Sequence, residues 1–201
     1  MDFSTLKENL VKKGYEVSEF DTAKEATDYL SEKIHNTTVA FGGSMTLKEM
    51  GLYEVLDTHN EVIWHWQVKE GMTPQETRKK AMDTPIYISS VNGIAKTGEV
   101  VNIDGTGNRV ASMTYGHEKL YLVVSENKVG KTYEDALFRA RNIAAPLNAK
   151  RLGRKTPCAE KGDKCYDCNS PERICNVLNV FYKKPGSQDV EVVLIHENLG
   201  Y

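Results

Sequence analysis

The sequence has no cysteine before residue 158, no strong excess of either charge and no long apolar run. Each absence excludes something. A formal net charge of −2 over 201 residues leaves no basic footprint for bulk nucleic-acid binding. No stretch approaches the roughly 18 apolar residues of a membrane span, so none is expected. The opening Met1-Asp-Phe-Ser-Thr-Leu-Lys7 lacks the basic and apolar regions of a signal peptide. A cytosolic location is the expectation, and there four cysteines are not expected to pair as disulfides. Internal repeats and low-complexity segments are missing as well. Ser44 has no neighbouring histidine, which removes support for serine-hydrolase chemistry. His117 and His196 have no carboxylate or cysteine at metal-ligand spacing beside them.

What is present is helix and strand in alternation. Leu6, Leu10 and Val11 suit an amphipathic helix that Gly14 stops. Thr22-Ala-Lys-Glu25 reads as a capping box, followed by Ala23, Ala26, Leu30 and Ile34 on one helical face. Thr37 to Phe41 predicts a strand, residues 46–56 a helix, and Glu61 to Gln67 a strand with His65 on its wet face. Thr73-Pro-Gln-Glu76 predicts a second capped helix running to about Met82. Ile86–Ser89, Glu99–Ile103, Leu120–Ser125 and Val190–His196 read as strands, with a short turn over Val91–Ala95. A helix opens at Thr132, turns Ala136, Leu137, Ala140 and Ile143 inward, and ends at Pro146. The pattern predicts one α/β domain over 1–149 and 189–201, with a mainly parallel sheet covered by helices on both faces. Residues 150–188 carry little periodicity and are expected to form an irregular cysteine-rich loop, which something must pin.

Chemistry concentrates in four places. Gly42-Gly43-Ser44-Met45-Thr46 sits between a strand and a helix, as either an anion cup of backbone N–H groups and hydroxyls or an ordinary turn. The polar, glycine-rich stretch through Asn92, Asp104, Gly105, Gly107, Asn108 and Arg109 reads as the floor of a site. Within it Arg109 and Asp104 are either a carboxylate clamp with its base or an internal ion pair. Lys128, after the strand from Leu120, is a candidate anion ligand or Schiff-base amine unless it is merely solvated. Last, Cys158, Cys165, Cys168 and Cys175 have the spacing C-x6-C-x2-C-x6-C. Four thiolates suit zinc or an iron–sulfur cluster, with Lys155, Lys161, Lys164 and Arg173 offsetting their charge; reduced thiols or a redox pair are the alternatives.

Several blocks in order carry a resemblance. Phe41-Gly-Gly-Ser-Met-Thr46, Ile94-Ala-Lys-Thr-Gly-Glu-Val-Val-Asn102, Gly107-Asn-Arg-Val-Ala-Ser112 and Asn127-Lys-Val129 resemble the LUD family of lactate-utilisation proteins. The tail, with Thr156-Pro-Cys158, Cys165-Tyr-Asp-Cys168, Ile174-Cys-Asn176 and Glu197-Asn-Leu-Gly-Tyr201, resembles a cysteine-bearing branch of it. The resemblance implies the fold shared by ribose-5-phosphate isomerase, glucosamine-6-phosphate deaminase and CoA transferases. It also implies a part in lactate-type organic-acid oxidation beside iron–sulfur redox partners. The expected ligand is a small anionic metabolite, with Asp104 and Lys128 as the catalytic candidates. A sugar-phosphate isomerase, a CoA-transferase-type enzyme and a non-catalytic metabolite-binding module are the alternatives. Against the first stands Ser90-Val-Asn92-Gly, where isomerases of this fold place an acid, since asparagine is no general base. Relatives often have Gly-Pro where this chain has Gly116-His117. No glutamate sits in an evident CoA-transferase motif, which leaves Glu99 and Glu126 as the candidates there.

Overall fold

The computed structural model describes residues 1–201. Helix α1 (Ser4–Lys12) leads into β1 (Glu16–Phe20), α2 (Ala23–Lys33) and β2 (Thr38–Phe41). Two short helices, α3 (Met45–Glu49) and α4 (Leu52–Leu56), precede β3 (Glu61–Trp64) and α5 (Pro74–Ala81). The middle of the chain forms β4 (Ile86–Ser90), β5 (Gly93–Ala95), β6 (Val100–Asp104), α6 (Asn108–Thr114) and β7 (Lys119–Ser125). After it come β8 (Val129–Gly130), α7 (Tyr133–Arg139), α8 (Ala145–Arg151), α9 (Pro157–Lys161), β9 (Val177–Phe181) and β10 (Asp189–Ile195).

The main sheet runs β1-β10-β7-β4-β2-β3, and every pair in it is parallel. Apolar runs without alternation produce this. Leu120, Leu122 and Val124 of β7 face one layer, while Tyr121 and Val123 face the other. A strand buried on both faces cannot alternate apolar with polar residues. On one face lie α2, α3 and α4, through Ala26, Leu30, Leu47, Leu52 and Leu56. On the other lie α1, α5 and α6 with the smaller sheet, through Leu6, Leu10, Ala81, Met113, Ile94 and Val100. Each such Leu, Ile or Val contributes roughly 1.5–3 kcal/mol of transfer free energy before entropy is counted. The smaller sheet, β8-β5-β6-β9, pairs β6 antiparallel with both β5 and β9, and β8 parallel with β5.

Both expected capping boxes form, at Thr22–Glu25 and Thr73–Glu76. Val91–Ala95, expected as a turn, carries strand β5 over Gly93–Ala95, and four further expectations change. The helix over 46–56 is divided by Gly51, whose φ of 63° belongs to the left-handed region. The strand from Glu61 stops at Trp64, because the chain turns back to bond Gln67 N to Trp64 O at 2.9 Å. Pro146 does not end its helix. A π turn over Ala140–Ala144 separates α7 from α8, and proline is tolerated at the start of α8, where its missing donor is not needed. The extra residue in that turn rotates the helix, so Ala144 points inward and Ile143 is 41% exposed. Fourth, the tail is not wholly irregular: α9 and β9 interrupt it, and β9 completes the smaller sheet. No helix is long and apolar enough to cross a membrane.

Helix α7 lies so close on the smaller sheet that a Cβ on Gly93 would sit 2.5 Å from the carbonyl oxygen of Ala136. Gly93→Ala is therefore expected to lose on the order of 1–3 kcal/mol in urea denaturation. Gly186→Ala, with nothing within 4 Å, is the control and is expected to stay within about 0.5 kcal/mol. Equal effects of the two would contradict the packing.

Candidate functional site

The carboxyl ends of β2, β3, β4 and β7 open onto one cavity of about 270 Å³. Ligands of open parallel sheets are found at this rim. From β2 the chain passes through Gly42 and Gly43 into Ser44, the N-cap of α3, whose hydroxyl accepts Leu47 N–H at 3.3 Å. A Cβ on Gly42 would lie 2.7 Å from Ser89 Oγ and 3.1 Å from the Arg109 stem. Glycine there lets the arginine pass beneath the loop.

Arg109 is largely withdrawn from solvent, its side chain 12% exposed, and its donors point inward. Nη1 donates to Ser90 O at 3.0 Å and to Asn102 Oδ1 at 2.9 Å. Nη2 donates to Asn92 Oδ1 at 2.9 Å and to Ile103 O at 2.8 Å. All four terminal N–H groups are thus committed, and Nε faces Asp104 Oδ2 at 3.8 Å. A guanidinium spent in this way is not free to clamp a ligand carboxylate. Of the two roles the sequence left open, clamp or internal partner, this geometry matches the internal one: a brace that ties the end of β4 to β6. Asp104 is similarly occupied: its Oδ1 accepts Thr106 N–H at 2.9 Å and Gly107 N–H at 2.8 Å.

Lys128 enters from a 3₁₀ turn at Glu126–Lys128, just past β7, and is 2% exposed. Its Nζ donates to Thr46 Oγ1 and, at 2.7 Å, to Ser90 Oγ. Burial pushes its pKa down to about 7, and the Arg139 and Arg109 charges add to the effect against a weaker pull from Glu49. Arg139 backs this corner by donating to Asn127 O and to Asn92 O at 2.8 Å.

The remaining wall was not foreseen. His65, expected on a wet face, lines the cavity with Trp66, because the turn after Trp64 swings both inward. Burial holds His65 neutral, its pKa pushed down to about 4, with Arg78 contributing. Arg78, Arg151, Arg154 and Tyr201 complete the rim. Arg151 stacks 4.9 Å from the centre of the Trp66 ring and donates to Asn148 Oδ1. Ser44, Thr46, Asn92, Asp104, Asn108, Arg109 and Lys128 all share this hollow, with Gly43 and Gly105; Gly42 and Gly107 shape its loops from behind.

The LUD domain model matches residues 4–195, nearly the whole chain. The chain belongs to the LUD family. A solved structure of a DUF162 family protein from Deinococcus radiodurans is similar over 97% of this chain and 99% of that one, at 10% identity and a TM-score of 0.56. That likeness shows the fold. Ribose 5-phosphate isomerase from Plasmodium falciparum aligns over 54% of this chain and 52% of that one, at 16% identity and a TM-score of 0.34, too little to argue from. No curated protein matches.

In this LUD protein the cysteine segment closes one side of the cavity. Ile174 lines the wall, and its carbonyl oxygen lies where a Cβ on Gly105 would come within 2.9 Å. Asn176 donates from N to Asp104 O at 3.0 Å and from Nδ2 to Gly105 O at 2.9 Å. The thiols of Cys165, Cys168 and Cys175 are near enough for their charges to oppose one another, while Cys158 contacts Thr156 Oγ1. No three of the protein's His, Cys, Asp and Glu side chains converge as a metal-holding group. Hydrogen bonds order the segment: Arg173 donates to Cys168 O at 2.7 Å and Cys175 O at 3.1 Å, and Glu172 accepts Lys155 N–H at 2.9 Å.

Two outcomes are expected. Arg173→Ala should speed hydrogen exchange across 165–176 more than Cys165→Ser does; the reverse order would show that the thiols hold the segment. The unfolded chain binds the Lys128 proton more tightly than the folded one. On this account stability rises with pH between about 7 and 10.5. Lys128→Met should therefore be most stabilised relative to the parent below pH 7, with the melting-temperature gap narrowing toward pH 10. A gap independent of pH would mean that the amine titrates as if in water.

Proposed function

We propose that this LUD protein is a component of organic-acid, lactate-type utilisation that binds a small anionic metabolite in the rim cavity and works with iron–sulfur redox proteins. One observation carries the reading. Arg78, Arg109, Arg151, Arg154 and Lys128 surround the hollow, and Asp104 is the one acidic side chain among its lining residues. Such a site, partly withdrawn from water, favours a negative guest more strongly than the same charges would on an open surface. Arg78 and Arg154 suit direct contact, because the bonding network that fixes Arg109 uses none of their donors. The volume lies at the small end of ligand sites, which suits a small metabolite.

A redox partner is supported by the surface beside the cysteine segment. Phe138, Ile143 and Leu147 follow one another down the α7–α8 face, one turn apart once the π turn is counted, and all are exposed. Asn142 from the same turn accepts Cys165 N–H at 3.2 Å. The isomerase alternative finds less support, since Asn92 is engaged with Arg109 and Asp104 with its own turn.

Isothermal titration tests the reading. Lactate, pyruvate or inorganic phosphate should bind with an affinity that falls as salt rises. Arg78→Gln or Arg154→Gln should weaken binding by about tenfold, near 1.4 kcal/mol, without lowering the melting temperature. Absence of heat with every small anion, at low salt and with a folded protein, would overturn the anion site.

A further inference from the structure

We propose that Lys128 is a carbonyl-capturing amine: its Nζ attacks the carbonyl carbon of a small anion held in the cavity and forms an imine. The proposal rests on the anion site above and deepens it, because it names the ligand as one with a carbonyl close to its negative charge. A 2-oxo acid and a phosphorylated ketose both have that chemistry.

The hydrogen-bond order around Nζ carries the argument. Thr46 Oγ1 donates to Leu199 O at 3.2 Å, and Ser90 Oγ donates to Thr46 Oγ1 at 3.3 Å. Both hydroxyl protons are committed, so both oxygens receive from Lys128. A neutral amine has two N–H groups, which these two acceptors consume. The lone pair is left without a protein partner on a side chain that lines the cavity. A lysine meant to stay an ammonium would be matched with a carboxylate. Here Arg109 and Arg139 are its charged neighbours, and Glu49, the anionic one, is drawn off by Gly200 N–H. Crowding an amine with cations, away from water, keeps it nucleophilic at neutral pH. The depressed proton affinity described above agrees with that arrangement.

The step balances without an added reactant. The nitrogen lone pair forms the N–C bond while the C=O π pair moves to oxygen, which takes up the proton that leaves nitrogen. The carbinolamine then loses its hydroxyl with the second nitrogen proton as one water, leaving C=N. Ser90 and Thr46 are positioned to pass those protons, being in contact with Nζ and with each other. Arg78 and Arg154 stand on the rim as counter-charges for the carboxylate or phosphate.

Reductive trapping tests this. The full-length protein is incubated with pyruvate, or separately with dihydroxyacetone phosphate, in the presence of cyanoborohydride, and then analysed by intact mass and peptide mapping. The expected result is one adduct per chain, heavier by the ligand less one oxygen atom, on Lys128 at about tenfold or greater preference over any other lysine. Which ligand reacts separates oxo acid from ketose phosphate, and either supports the proposal. Lys128→Arg should abolish the adduct, and Arg78→Gln should lower its yield while leaving the protein folded. The parent protein's peptide map keeps the test valid if Lys128→Arg does not fold. No adduct from either ligand, or adducts spread evenly over surface lysines, overturns the proposal. If titration still detects anion binding, the anion site survives that failure; if it detects none, both fall.

Discussion

Everything at the rim depends on one cation largely withdrawn from solvent. Arg109 sends four hydrogen bonds to two carbonyls and two asparagine oxygens, from Ser90, Asn92, Asn102 and Ile103. These acceptors belong to the main sheet's central edge and to the smaller sheet. Without the guanidinium, several buried oxygens would lose their partners at once, each at a cost of about 1–3 kcal/mol. The asparagines are therefore chosen for the arginine: a neutral amide oxygen satisfies it without cancelling its charge. The cavity stays electropositive because its main brace is neutralised only loosely, by Asp104 at 3.8 Å.

The other basic groups divide by what already holds them. Arg139 is bonded to backbone carbonyls, and Arg151 rests on Trp66 and Asn148. Lys128 has hydroxyls in place of carboxylates. A site built from cations that repel one another carries an unfavourable electrostatic term, which the anionic ligand of the proposed function would relieve. This electrostatic tension links the fold to the proposed binding: the sheet ends supply fixed positions, and the charges would favour a negative guest.

The sequence reading succeeded where local pattern and burial agree. The apolar runs of β2, β4, β7 and β10 could be only covered parallel strands, and the Thr22 and Thr73 boxes announced their helices. The edge strand β1, Glu-Val-Ser-Glu-Phe, escaped because an edge has too little burial to impose a pattern. At the site, glycines and polar residues in one stretch marked Asn92, Asp104 and Arg109, and Lys128 followed from its place after a strand. His65 was misjudged because strand alternation was carried past Trp64, where a turn had already ended it. Arg151 and Arg154 lay beyond reach, since no sequence signal announces the π turn that orients α8, the helix that ends at Arg151 and precedes Arg154.

That turn has a consequence for how such a cavity can diverge. One inserted residue sets the phase of everything downstream of it. Deleting a residue between Ala140 and Ala144 would restore ordinary pitch and swing Asn148 and Arg151 around the axis by about 100°. Trp66 would lose its cationic cover and the pocket a portion of its charge, with no lining residue substituted. Ligand preference in this scaffold is thus open to change by indel as well as by substitution.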